Sequence, residues 1–240
     1  MTKRIAMWSG PRNISTAMMR SWENRADCSV IDEPFYAYYL EQTQSPHPLF
    51  SEIIESQPTD YATVAKNMSE GQCNSALQYQ KHMTHHMLPG CDISWTATLQ
   101  HCFLIRDPAY VVHSYTNSRG ACTAEDIGIK RQYELLTQIS DLTGQQMPVI
   151  DSPTVLTNPE RVMRALCEAL SISFDPNMLA WPTGRRSSDG IWASHWYHSV
   201  EASTGFASPR QATFALSKSQ LEVVEEVMPY YAKMKSLAIT

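Results

Sequence analysis

Three stretches of this sequence carry residue types able to grip an oxyanion or move a proton. The first is Trp8-Ser-Gly-Pro-Arg-Asn-Ile-Ser-Thr16, where an apolar run ends in a Gly-Pro turn and Ser15 and Thr16 fall in the first turn of a following helix. Free amides at a helix N-terminus attract anions, and Arg12 with the two hydroxyls adds charge-assisted donors for a phosphate or sulfate. A full G-x-x-x-x-G-K-[ST] loop is absent, because Ser15 and Thr16 stand where glycine and lysine would be. Without that lysine, stabilising a departing γ-phosphate is harder, which argues against NTP hydrolysis. The plainer alternative is that Ser15 caps the helix and Arg12 is a solvated loop residue.

The second stretch, Cys102-Phe-Leu-Ile-Arg-Asp-Pro-Ala-Tyr-Val-Val-His-Ser-Tyr115, delivers Arg106 from an apolar run to a helix that begins at Pro108. Ser114 lies two turns into that helix, so arginine and hydroxyl can share one anion at the carboxyl edge of a sheet, where open α/β sheets bind ligands. An Arg106–Asp107 surface pair is the competing use. The third stretch is carboxylate and imidazole chemistry. Glu33 follows Ser29-Val-Ile-Asp32 closely enough to accept a proton beside the first turn, with Asp32 as its rival, and an ordinary turn before Pro34 as the bland alternative. In Gln80-Lys-His-Met-Thr-His-His-Met-Leu-Pro89 a helical reading puts Lys81 and His85 on one face. The spacing of His82, His85 and His86 also permits zinc, but no cysteine pair accompanies them, and no metal is expected.

To position these groups the chain needs strands that end beside one another. Strand-like runs at 4–9, 29–32, 76–80, 101–105 and 147–150 alternate with helical runs at about 15–25, 48–56, 61–70, 108–117, 124–142 and 159–169. That alternation predicts an α/β fold: a mostly parallel central sheet of about five strands flanked by helices, in one domain over 1–240. Asn158-Pro159 predicts a capped helix start and Gly144 a helix stop. Residues 181–211 read as a long irregular loop whose Trp192, Trp196, Tyr197 and Phe206 either cover a ligand or pack the loop down. A closing helix is expected at about 218–237, with Ser219–Glu222 as its capping box.

Composition sets the outer bounds. With 43% hydrophobic residues, 18% charged and only 9 glycines, the chain has the make-up of a folded globular protein, which excludes disorder and collagen. Nineteen Lys+Arg against 24 Asp+Glu give a net charge of −5, unsuited to broad nucleic-acid binding but compatible with a local basic pocket. Six cysteines without a Cys-x-x-Cys pair read as reduced thiols. No run of 18 apolar residues occurs and the first apolar run is too short for a signal segment, so a soluble, cytoplasmic protein with no membrane partner is expected.

Ser9-Gly-Pro-Arg-Asn-Ile-Ser-Thr16 resembles the 5′-phosphosulfate loop of the sulfotransferases that use 3′-phosphoadenosine 5′-phosphosulfate (PAPS), and Arg106 with Ser114 eight residues later resembles their 3′-phosphate motif. The resemblance covers 4 to about 151 and implies their P-loop-NTPase-like architecture, PAPS as donor without an obligatory metal, and a small-molecule hydroxyl or amine as acceptor. It implies that Arg12, Asn13, Ser15 and Thr16 hold the phosphosulfate, with Arg12 also stabilising the sulfuryl oxygens, and that Arg106 and Ser114 hold the 3′-phosphate. Thr204-Gly205-Phe206, flanked by Arg210, is the nearest match to the family's C-terminal nucleotide loop. Glu33 matches the position of a base glutamate found in some members. Lys81 matches a lysine that touches the leaving phosphate; the family's nearby histidine base finds no match in register, so His82, His85 and His86 compete for that role, with His85 the candidate four residues from Lys81. A degenerate P-loop kinase or NTP hydrolase and a catalytically silent nucleotide-binding protein are the competing readings. The acceptor's identity and the oligomeric state are not legible.

Overall fold

The computed structural model describes residues 2–208 and 213–239. Five strands, β1 (Lys3–Ser9), β2 (Cys28–Asp32), β3 (Leu77–Met83), β4 (Gln100–Ile105) and β5 (Val149–Asp151), form one sheet in the order β2-β3-β1-β4-β5, with every pairing parallel. Successive side chains of β1 and β4 alternate between two buried cores. Ile5, Met7, Cys102 and Leu104 enter one; Ala6, Trp8, Phe103 and Ile105 enter the other. Burial of both faces is what a parallel sheet requires, since helical crossovers must cover each side.

The helices are α1 (Ser15–Glu23), α2 (Tyr36–Thr43), α3 (Phe50–Ser56), α4 (Tyr61–Glu70), α5 (Pro108–Arg119), α6 (Ala124–Ile127), α7 (Ile129–Thr143), α8 (Ser152–Thr157), α9 (Pro159–Ala169), α10 (Ala193–Trp196), α11 (His198–Glu201) and α12 (Lys218–Lys235). Met18, Met19 and Trp22 of α1 join the Ile5 core with α9's Val162 and Leu166, while α5, α7 and α12 supply Val112, Leu135, Ile139 and Val227 to the Trp8 core. From β1 the chain leaves toward β2, and from β4 it leaves the opposite way toward β5. These two strands are neighbours, so their carboxyl ends open a crevice at the point where the strand order reverses.

Several expected elements take a different form. The stretch expected to be helical after the third strand is still strand: β3 runs through Lys81 to Met83, and Thr84–His86 makes one 3-10 turn, so Lys81 and His85 do not share a helix face. Residues 124–142 are not one helix, because Gly128 takes φ 64° between α6 and α7 and stands where a Cβ would lie 2.9 Å from Thr84 Oγ1. Ser217 and Gln220, rather than Ser219 and Glu222, form the capping box of α12. Asn158 precedes the first-turn proline of α9 but makes no side-chain cap. Gly144 does stop α7, in the left-handed conformation. The stretch expected as a loop at 181–211 contains α10 and α11 within its described part, and Trp192 and Tyr197 are core residues. No helix among the described residues is long and apolar enough to cross a membrane.

Candidate functional site

Strand β1 ends at Ser9 and the chain turns at Gly10 directly against α6. A Cβ on Gly10 would lie 2.6 Å from the Ile127 carbonyl oxygen, so close approach demands glycine here. Asn13 then bolts the turn down: its Nδ2 donates to the Leu104 carbonyl at 2.9 Å, and its Oδ1 accepts from the Ile14 amide and from the Ser152 hydroxyl. The Asn13 side chain, expected to hold an anion, is therefore occupied with positioning. Ile14 caps α1 without a side-chain bond, which leaves the amides at its start, with the Ser15 and Thr16 hydroxyls beside them, to face an outside acceptor.

Arg12 takes φ 55°, a left-handed conformation that strains a non-glycine residue and turns its side chain toward α5. Its Nε donates to Ser114 Oγ at 3.0 Å, and its carbonyl accepts a 2.6 Å bond from Arg106. Both arginines, Ser114, Tyr110, His113 and Phe214 line one cavity of about 370 Å³. Asp107 does not pair with Arg106; it caps α5 by accepting from the Ala109 amide at 2.8 Å. Neither Arg12 nor Arg106 has a salt-bridge partner among the described residues. Burial first, and then each one's neighbouring guanidinium (Arg119 for Arg12, Arg12 for Arg106), pull both pKa values below the usual arginine value. Two guanidinium groups held beside a hydroxyl, neither in a salt bridge among the described residues, have the charge and donors that a multiply charged anion requires.

A second cluster lies under the end of β2. Register pairs Asp32 with Lys81 across β2 and β3, and Lys81 Nζ, 1% exposed, reaches Asp32 Oδ1 at 2.9 Å, Glu33 Oε1 at 2.6 Å and the Tyr197 hydroxyl. Tyr197 donates to Asp32 Oδ2 at 2.8 Å and accepts from Trp192 Nε1 at 3.1 Å. Three donors on the ammonium meet three acceptors, so Lys81 is a buried clamp on two carboxylates, not the lysine that touches a leaving phosphate which the sequence suggested. Against the downward pull of burial, Asp32 and Glu33 raise its pKa well above the usual lysine value.

Glu33, with φ 42°, extends the pairing by donating its amide to the Lys81 carbonyl at 3.0 Å, which aims its side chain along the sheet edge. Burial raises its pKa; Lys81 offsets part of that and Asp32 adds to it. Its Oε2 lies 4.0 Å from His86 Nε2, beyond hydrogen-bond range. A carboxyl of raised pKa with one open oxygen suits proton transfer.

The histidines divide. His82 stacks on Trp8 at 4.5 Å and bonds to Gln80, a core residue whose pKa burial takes down to about 3. His85 is half-buried and held at about 3 by burial, then by His47 and Arg119. His86, not His85, stands beside Glu33. Among the described residues no group of three His, Cys, Asp or Glu side chains is placed to hold a metal.

Thr204, Gly205 and Phe206 do not reach the anion cavity. Gly205 bridges to Ala180, the Thr204 carbonyl accepts from the Trp181 amide, and Phe206 meets Trp181 edge-on at 5.1 Å. Asn24, the C-cap of α1, bonds to the Ala180 carbonyl, which places this segment at the end of α1 opposite the anion turn. Arg210 lies outside the described residues. Phe214 instead walls the cavity, stacked on His113 at 4.1 Å and 8°. The signal for this wall was available in α5, where Tyr110, His113, Ser114, Asn117 and Ser118 recur on one helix face. The sequence marks Tyr197 only as one of the aromatics of the 181–211 stretch, with no spacing that ties it to Lys81.

A family profile described as a sulfotransferase domain matches residues 3–238. Two Arabidopsis thaliana proteins named branched-chain-amino-acid aminotransferase-like proteins 1 and 2 are 33% and 31% identical over 97% and 95% of the chain. The chain spans only 41% and 40% of their lengths. Among solved structures, a sulfotransferase domain from the curacin biosynthetic pathway aligns over 95% of this chain and 98% of its own, with TM-score 0.54 and 14% identity. A sulfotransferase from Alicyclobacillus acidocaldarius aligns over 99% and 96%, with TM-score 0.56 and 10% identity. At such identities these likenesses show a shared fold.

Proposed function

Because this chain belongs to the sulfotransferase domain family and is an enzyme of that family, we propose that it transfers a sulfuryl group from PAPS to a hydroxyl or amine of a small molecule. The observation that carries the donor assignment is the convergence of Arg12, Arg106 and Ser114 on one cavity, with no carboxylate paired to either arginine among the described residues. Arg106 and Ser114 bind the 3′-phosphate in this reading, and Arg12, between them and the α1 amides, contributes to both ends of the donor. Ser15, Thr16 and the first-turn amides receive the phosphosulfate. Tyr110, His113 and Phe214 offer apolar ring surface beside the phosphate site.

In the transfer itself the acceptor's O–H or N–H proton passes to Glu33, a new S–O or S–N bond forms at the acceptor, and the S–O bond to the donor's phosphate breaks. Developing charge on the departing phosphate is stabilised by the α1 amides and Arg12. Lys81 keeps Asp32 and Glu33 in place from below.

Calorimetric titration with adenosine 3′,5′-bisphosphate and with ATP, each with and without Mg²⁺, tests the donor assignment. The bisphosphate is expected to bind more tightly than ATP and independently of Mg²⁺; tighter, Mg²⁺-dependent binding of ATP overturns it. Labelled-sulfate transfer from PAPS to a panel of phenols, alcohols and amines then tests the chemistry.

A further inference from the structure

Arg119, in the last turn of α5, is a half-buried cation with no carboxylate partner among the described residues. Its guanidinium lies 4.5 Å from the centre of the Trp196 ring and 5.9 Å from that of Tyr115, and one nitrogen donates to His47 Nδ1 at 3.2 Å. The Tyr36 hydroxyl bonds to the same imidazole nitrogen. The groups in direct contact with the guanidinium are aromatic and neutral, and Asp126, whose charge is felt by Tyr39 and Tyr115, makes no salt bridge to it. Burial, followed by Arg119 itself, holds His47 neutral, with its pKa down to about 4.

A line of rings connects Arg119 to Glu33. Tyr36 stacks on His86 at 4.6 Å and 19°, Tyr39 stacks on His86 at 4.9 Å and 26°, and His86 stands 4.0 Å from the open oxygen of Glu33. On its other side Arg119 is near enough to Arg12 for its charge to lower that residue's pKa. Arg119 therefore lies within electrostatic range of the donor's arginine and is joined to the carboxylate assigned as base through His47, Tyr36 and His86. Tyr39, His47, Tyr115, Trp196 and Arg119 each keep part of their surface open to solvent. Most of the five N–H donors of the guanidinium remain for a ligand, in a fork that matches a carboxylate.

Resting on the sulfuryl-transfer reading, we propose that the acceptor is a small aromatic acid, whose ring lies against the partly open rings of Tyr39 and Trp196, whose carboxylate is received by Arg119, and whose hydroxyl or amine is directed to Glu33. The partly open rings favour an aromatic body, and the guanidinium without a carboxylate partner among the described residues selects its anionic end. Arg119 is then a specificity-determining residue, since a neutral analogue would leave the guanidinium without its partner.

The test uses 4-hydroxyphenylacetate and 4-hydroxybenzoate, each against its own neutral amide, binding to the protein saturated with adenosine 3′,5′-bisphosphate. The acids are expected to bind about tenfold or more tightly than the amides, as losing a charge-assisted contact implies. In Arg119→Gln that preference is expected to vanish while Arg119→Lys keeps part of it, with bisphosphate binding and thermal midpoint near wild type as the control for folding. Equal binding of acids and amides to the wild-type protein overturns the proposal, as does a preference that survives in Arg119→Gln, or bisphosphate binding that falls as far as acid binding does. If the bisphosphate binds and neither acid does, the acceptor class fails and the donor reading stands. If the bisphosphate does not bind, the donor reading fails and the inference falls with it.

Discussion

Replacing Lys81 by methionine removes the cation that Asp32 and Glu33 share while leaving an unbranched side chain one atom shorter. The site cannot readily hydrate in compensation, because Lys81 and Asp32 are 1% and 5% exposed and Trp192 and Tyr197 close over them. Breaking a buried ion pair by deleting one partner costs about 3–5 kcal/mol. At about 2–4 °C per kcal/mol for a chain of this size, the thermal midpoint at pH 7 should fall by roughly 6–20 °C. The loss has a definite pH dependence. Glu33 already has a folded-state pKa above its ordinary value, and losing Lys81 removes the main influence holding it down. A carboxyl raised in the folded state is stabilising below its ordinary value of 4.5 and loses that contribution as pH rises through the folded value. Lys81→Met should therefore lie nearest to wild type in mild acid and diverge as pH rises to 7. Melting curves between those limits check this, with Lys81→Met/Asp32→Asn expected to regain part of the midpoint by removing one of the stranded charges. A Lys81→Met midpoint within a degree or two of wild type at pH 7, or a gap that widens toward acid, would refute the buried clamp.

Arg106→Ala should weaken adenosine 3′,5′-bisphosphate by about 10- to 100-fold in calorimetry and leave adenosine 5′-phosphate nearly unaffected, since the charge lost is assigned to the 3′ end. Glu33→Gln should cut turnover by about 10²–10⁴-fold while bisphosphate affinity is kept. In the wild-type enzyme kcat/KM should rise with pH through the raised Glu33 pKa, so its acid limb lies above the ordinary carboxylate value of 4.5. Gly10→Ala must push the turn away from Ile127, and is expected to cost about 1–3 kcal/mol in denaturant unfolding and to weaken the bisphosphate as well.

The sheet was legible because its strands announce themselves by composition, and because β1 and β4 each end in a Gly-Pro or Arg-Asp-Pro break before a helix. The parallel arrangement followed from alternation of strand and helix. Where reading failed, a tertiary contact decided the local structure. Residues 81–83 have no strong strand pattern, yet β3 continues through them because Lys81 is drawn down between the two carboxylates at the end of β2 and lies in register with Asp32. Gly128 splits a run of good helix periodicity because Thr84 and the Gly10 turn press against that point. Neither pressure is visible in a window of neighbouring residues.

The anion corner and the acid corner differ in legibility for a related reason. Arg12, Arg106 and Ser114 sit on strand ends and one helix turn, so strand order alone, β1 beside β4, brings them to one crevice. Glu33 gains its raised pKa from burial in a cluster that Tyr197 completes, with Trp192 bonded to it, and both arrive from a segment more than 150 residues later in the chain and carry no periodicity to mark their target. The same late segment supplies Trp196 to Arg119, and Phe214 farther on walls the anion cavity. A sheet edge can thus be read from its own strands, whereas the environment that tunes its side chains depends on which remote loop covers it, and that is settled by packing against the finished core.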